Sequence, residues 1–180
     1  MKRALAAIAL GLAACARAPV PVTREAFPQE AERAEVAFGA LKAGLLSRLS
    51  AAIGQDGPAG AISVCSTEAL PLTEQIAIER GVEVGRTSFR LRNAKNAPRA
   101  WAAAHVASAE NRPAYFDLGD RVGVLAPMPL GGLCVTCHGP REGLAPDVRD
   151  ALAQRYPDDQ AVDFQEGDLR GYFWAEVPKR

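Results

Sequence analysis

The chain has 180 residues, 48% of them apolar and 23% charged, which is enough for one domain with a packed core and excludes a disordered polymer. Its 21 basic and 21 acidic residues cancel, so there is no positive field to draw nucleic acid or an anionic membrane surface.

The chain begins with Lys2 and Arg3, followed by an apolar run from Ala4 to Ala14. That run is too short to span a bilayer, which takes about 20 apolar residues, and has the form of an export signal. It ends in Leu12-Ala13-Ala14-Cys15, which resembles a bacterial lipobox. The resemblance implies cleavage before Cys15 and lipid on its thiol; ordinary cleavage nearby, leaving no anchor, is the alternative. Ala16 rather than Asp follows, so a periplasmic lipoprotein anchored in the outer membrane is expected. Residues 1–14 are thus a signal peptide, 15–29 a Pro-containing tether, and 30–180 a single domain.

Within that domain, Val36, Phe38, Leu41, Leu45, Leu49 and Ile53 recur at helical spacing, predicting a helix over 29–53 that "QDGPAG" ends. A second helix over 58–70 carries Cys65, and "LTEQIAIER" continues after Pro71 to Gly81. "VEVGRTSFRLRN" alternates as one or two strands around Gly85. Pro98 opens an Ala-rich helix, "PRAWAAAHVASAE". "RVGVLAPMPL" reads as a strand ending at Pro127, "APDVRDALAQRY" as a helix, and "DLRGYFWAEVP" as a closing strand. This order has no regular βαβ alternation, so the expected class is α+β, an antiparallel sheet with helices packed on it.

The chemistry concentrates in "GGLCVTCHGP", residues 131–140. The chain has four cysteines and two histidines, and three of these six residues fall in one pentapeptide, Cys134 to His138. C-x-x-C-H is the attachment signature of a c-type haem. Each thiol adds across one vinyl group, and the adjacent imidazole lies where it can ligate iron. A redox dithiol lacks its strand-to-helix context. A zinc site built from Cys65, Cys134, Cys137 and His138 would use two adjacent ligands in an oxidising compartment.

With Cys15 acylated and Cys134 and Cys137 attached to haem, Cys65 has no disulfide partner. It is either a buried small hydrophobe or the second axial ligand to iron. His105, Met128 and an open iron face are the other candidates for that position. The small cytochrome c pattern is excluded, because that pattern places its methionine ligand after the motif and no methionine follows His138.

Five segments occur in an order that resembles a known family: "AISVCSTEA", "GRTSFRLRNAKNAP", "CVTCHG", "YPDDQA" and "GDLRG". They are similar to exported haem-binding domains with a PAS-like fold, long catalogued as a domain of unknown function. Members occur as stand-alone c-type haem proteins and as the extracytoplasmic part of sensor kinases. The resemblance covers roughly Glu32 to Pro178. It implies a PAS-like antiparallel sheet with an N-terminal helical segment, and one haem c per chain on Cys134 and Cys137. It further implies His138 on one iron face and Cys65 on the other. It places Arg86, Arg90 and Arg92 at the haem, where a guanidinium suits a propionate; on their own, three basic residues on a strand and turn are usually solvated.

Thiolate ligation favours ferric iron, so the expected role is sensing of redox state or of a small diatomic gas, with the signal passed to a separate protein partner. Periplasmic electron transfer to a redox partner is the rival. A haem enzyme such as a peroxidase would need an open iron face and a positioned base, and no catalytic residue is assigned.

Overall fold

The structure is a computed structural model and describes residues 19–180. The expected export signal and Cys15 lie outside the described residues. Five strands form one antiparallel sheet in the order β1-β3-β4-β5-β2. They are β1 (Val20–Val22), β2 (Glu83–Thr87), β3 (Ala114–Asp117), β4 (Arg121–Pro129) and β5 (Leu169–Pro178). The helices are α1 (Pro28–Thr67), α2 (Ala69–Arg80), α3 (Ala103–Ser108), α4 (Val135–His138) and α5 (Pro146–Arg155). This is the α+β class expected, with the long helix at the N-terminal side of the sheet.

α1 is two helices joined at a kink. Gly57 takes a left-handed φ of 70°, and Pro58 restarts the helix, as a first-turn proline can. The break falls where "QDGPAG" predicted it, but without a loop. α2 ends on Gly81 in the left-handed conformation (φ 61°), the usual glycine C-cap.

The two faces of the sheet are set by strand alternation. Val84, Val122, Val124, Phe173, Ala175 and Val177 pack with Ala34, Ala37, Phe38 and Leu41 of α1. The rings of Phe38 and Phe173 stack at 5.8 Å. The opposite face buries Leu125 and Tyr172 against Ala102 and Val106, with Trp101 and Trp174 around them.

Some elements differ from expectation. Within the segment read as a tether, Val20–Val22 pair with β3 as an edge strand. β3 was not anticipated. α3 covers only six residues of the Ala-rich stretch. β4 runs through Pro127 to Pro129 because its pairing with β3 stops at Leu125, and prolines are tolerated where one side of a strand has no ladder to join.

Candidate functional site

The pentapeptide folds as one helical turn. Cys134 ends a 3-10 turn, Val135–His138 form α4, and both Cys134 and Val135 have helical backbone angles. Positions three and four apart share a helix face, so the turn brings Cys134, Cys137 and His138 to one side. Gly139 closes the turn by donating its N–H to Val135 O at 2.7 Å. A Cβ at Gly139 would meet that same carbonyl oxygen at 2.6 Å, so the residue after the histidine has to be glycine.

A strap formed by residues 159–168 clasps this turn. Phe164 N–H donates to His138 O at 3.0 Å, and Asp163 N–H to Gly139 O at 2.8 Å. His138 Nδ1 lies 2.6 Å from Ala161 O. A carbonyl only accepts, so Nδ1 carries the proton and Nε2 keeps its lone pair, the tautomer a metal ligand needs. Burial first, then the charges of Arg92 and Arg170, push the His138 pKa down from 6.5 to about 2. The imidazole is therefore neutral at any physiological pH.

The turn forms part of the wall of a cavity of about 440 Å³, within the size range of ligand sites. Leu45, Leu49 and Ile53 of α1 supply apolar wall. Cys65, in the last turn before α1 ends, lines the same cavity. Cys65 is an exposed residue, and desolvation raises its pKa, with Arg86 and Arg92 pulling the other way.

The three arginines singled out from the sequence separate here. Arg86 lines the cavity and has no hydrogen-bond or ion-pair partner among the described residues. Arg92 lines it too, but its guanidinium is already engaged. It donates to Cys137 O at 2.6 Å and Ala161 O at 3.0 Å, and pairs with Asp159 at 2.9 Å. Arg90 does not line the cavity; it donates to the carbonyls of Gln160 and Val162 and sits over the Phe164 ring at 4.5 Å.

A fourth arginine, Arg170, does line the cavity. Simple alternation along β5 would put Arg170 on the Tyr172 face. Instead the register slips between Met128 and Pro129, which pair with Gly171 and Leu169, leaving Arg170 as the extra residue of a bulge. Bulges re-aim side chains in this way. Gly171, at φ 155°, makes the bend possible, and a Cβ there would lie 2.3 Å from Thr87 O. Arg170 then donates to Ser88 Oγ at 2.9 Å and Arg90 O at 3.1 Å, with its Nε 3.3 Å from His138 Nδ1. The only signal for it in the sequence was its place in "GDLRG". Tyr156, also unanticipated, lines the cavity near the end of α5.

The other iron-ligand candidates are sorted by the sheet. His105 packs on the far face, 5.5 Å from the Tyr172 ring and 3.3 Å from Arg112 O, and does not line the cavity. Met128 does line it.

A c-type haem fits the residues present. Two thiols and an imidazole on one helix face match the donor set that holds such a group. Around them the lining cations are Lys42, Arg48, Arg86, Arg92 and Arg170. Among the described lining residues the one carboxylate is Glu68, which pairs with Arg48 at 2.5 Å. In a chain of zero net charge, that excess suits a ligand bearing carboxylates.

Fold and site together define an α+β domain with a cationic ligand cavity, one wall of which is a C-x-x-C-H turn. The chain belongs to the Tll0287-like family, whose model matches residues 14–178. Among solved structures it is similar to the cyanobacterial heme-protein Tll0287, at 22% sequence identity and a TM-score of 0.60, over 85% of this chain and 97% of that one. No curated protein matches the chain.

Proposed function

We propose that this chain is an exported haem protein that carries one haem c in the cavity and works as a sensor of redox state or of a small diatomic gas. The observation that carries the reading is the placement of Cys65 on the wall of the same cavity that the C-x-x-C-H turn lines. The solved relative is a heme-protein, and this kinship, with the shared family, supports haem as the ligand.

Cys134 and Cys137 provide the thioether attachments. His138 Nε2 and the Cys65 sulfur would be the haem's iron ligands. The strap holds the imidazole by its Nδ1 proton, Arg92 ties the strap to the turn through Cys137 O and Ala161 O, and the leucines of α1 that line the cavity would help keep water from a bound haem. The haem supplies a one-electron redox centre whose potential follows its axial ligands and burial. A thiolate favours ferric iron, so Cys65 would be the ligand to loosen on reduction and would leave room for a gas or a change of shape. The signal then passes to a separate protein, with Cys15 as the lipid anchor at the outer membrane.

Leu46 and Leu133 line the cavity and are exposed. That apolar rim favours electron transfer to a docked redox protein as the second reading.

Expression with a c-type maturation system tests the proposal. The expected result is one haem per chain that stays attached on a denaturing gel and is lost in the Cys134→Ser/Cys137→Ser double variant. A chain that emerges without attached haem overturns it. Loss of the thiolate absorption signature on reduction supports sensing, and its persistence supports electron transfer.

A further inference from the structure

Cys65 does not meet the cavity alone. Arg86 extends from β2 on the face that carries Phe173, its cross-strand partner, and lines the cavity beside it. Tyr156 follows α5 and belongs to the same apolar cluster as Ile62, which is one turn before Cys65 on α1 and so on the same helix face. Its side chain is nearly all covered, at 9% exposure. Yet neither the Arg86 guanidinium nor the Tyr156 hydroxyl has a hydrogen-bond partner among the described residues. Neither is among the fully buried polar atoms left without a partner, so both groups keep polar surface free for what enters the cavity. These two come from separate elements and line the same cavity as Cys65.

We propose that Arg86 and Tyr156 are positioning residues that donate hydrogen bonds to the Cys65 sulfur when it ligates iron, holding the thiolate in place and raising the reduction potential. This rests on the reading of Cys65 as the second ligand. It also departs from the family expectation that Arg86 serves a propionate. The electrostatics run the same way. Burial lowers the Arg86 pKa, opposed first by Cys65 and then by Tyr156. Burial raises that of Tyr156, with Cys65 the next contribution. Cys65 thus figures in the electrostatics of both Arg86 and Tyr156. Donors to a metal-bound sulfur withdraw charge from it, and such outer partners tune a metal centre as its own ligands do.

The test uses the haem-loaded protein, with ferric EPR, absorption spectra and redox titration of wild type, Arg86→Gln, Arg86→Lys and Tyr156→Phe. Tyr156→Phe removes a single oxygen and should leave the fold unchanged. Arg86→Gln should lower the ferrous-to-ferric ratio at a fixed poise by about tenfold, and Tyr156→Phe by about threefold, as expected for a charged and a neutral hydrogen bond. Both should shift the thiolate signature, and Arg86→Lys should restore much of the ratio. A changed potential with an untouched thiolate signature would make Arg86 a carboxylate partner and overturn the proposal. An unchanged potential in both Arg86→Gln and Tyr156→Phe would also overturn it. Cys65→Ala identifies the other route to failure: if it leaves the wild-type spectrum intact, the ligand assignment itself falls.

Discussion

The two faces of the sheet solve the same problem differently. On the outer face, charged groups find each other: Arg99 pairs with Glu83 and Glu176, Arg121 with Glu83, and Trp101 donates to Glu176 at 2.8 Å. Arg99 also lies over the Trp174 ring at 4.4 Å. On the cavity face, Arg86, Tyr156 and Cys65 are left unmatched, and cations outnumber the one lining carboxylate. The outer face pairs its charges within the chain, although Thr87 Oγ1 and Arg99 Nε stay buried there without a hydrogen bond, whereas the cavity face leaves cations free for a ligand. Local inconsistency of this kind marks functional sites.

Substitutions on the two faces should therefore differ in kind. The buried pair Arg92–Asp159, whose side chains are 11% and 6% exposed, is the joint between turn and strap. Asp159→Ala strands the Arg92 charge beside His138 and should cost about 4 kcal/mol, since breaking one half of a buried pair is expensive; urea denaturation measures it. Gly171→Ala forces a Cβ onto Thr87 O at a left-handed φ. It should cost about 3 kcal/mol from overpacking and backbone strain, read from the same denaturation midpoints.

Acid should act through the cavity side. The His138 pKa is depressed in the fold, from 6.5 to about 2. The unfolded chain thus takes up a proton that the folded one refuses, and this contribution is present above about pH 6.5 and lost progressively as pH falls toward 2. Denaturation between pH 7 and pH 4 should show that fall, and a His138→Gln variant should show less of it. The smallest effect belongs to the outer face. Arg121 and Glu83 are 34% and 45% exposed, so Arg121→Ala should change stability by under about 1 kcal/mol and leave cofactor loading intact.

How much of this was legible beforehand depended on how local each signal was. The C-x-x-C-H turn was readable because its chemistry lies in five consecutive residues. Cys65 emerged from the count of cysteines and from the family resemblance, and the fold places it on the wall of the same cavity. The helix break at Gly57-Pro58 was readable from two residues that both disfavour helix interiors. Arg170 was not, because a one-residue bulge reverses the alternation on which strand faces are read. β3 was missed because four residues, "AYFD", carry too little pattern, and β1 because its three residues gain strand character only by pairing with β3. His105 looked like a ligand candidate on its helix, and only the sheet between it and the cavity decides otherwise. The division among the three arginines was equally invisible, since it depends on which carbonyls and carboxylates the strap brings to each.

The most direct measurement is the ferric EPR and absorption spectrum of the matured protein, wild type against Cys65→Ala. A low-spin thiolate signature in the wild type that vanishes in the variant is the predicted result, and would place the haem iron between Cys65 and His138. Identical spectra would contradict that account, return Cys65 to the role of a cavity-lining thiol, and leave Met128 or an open face opposite His138.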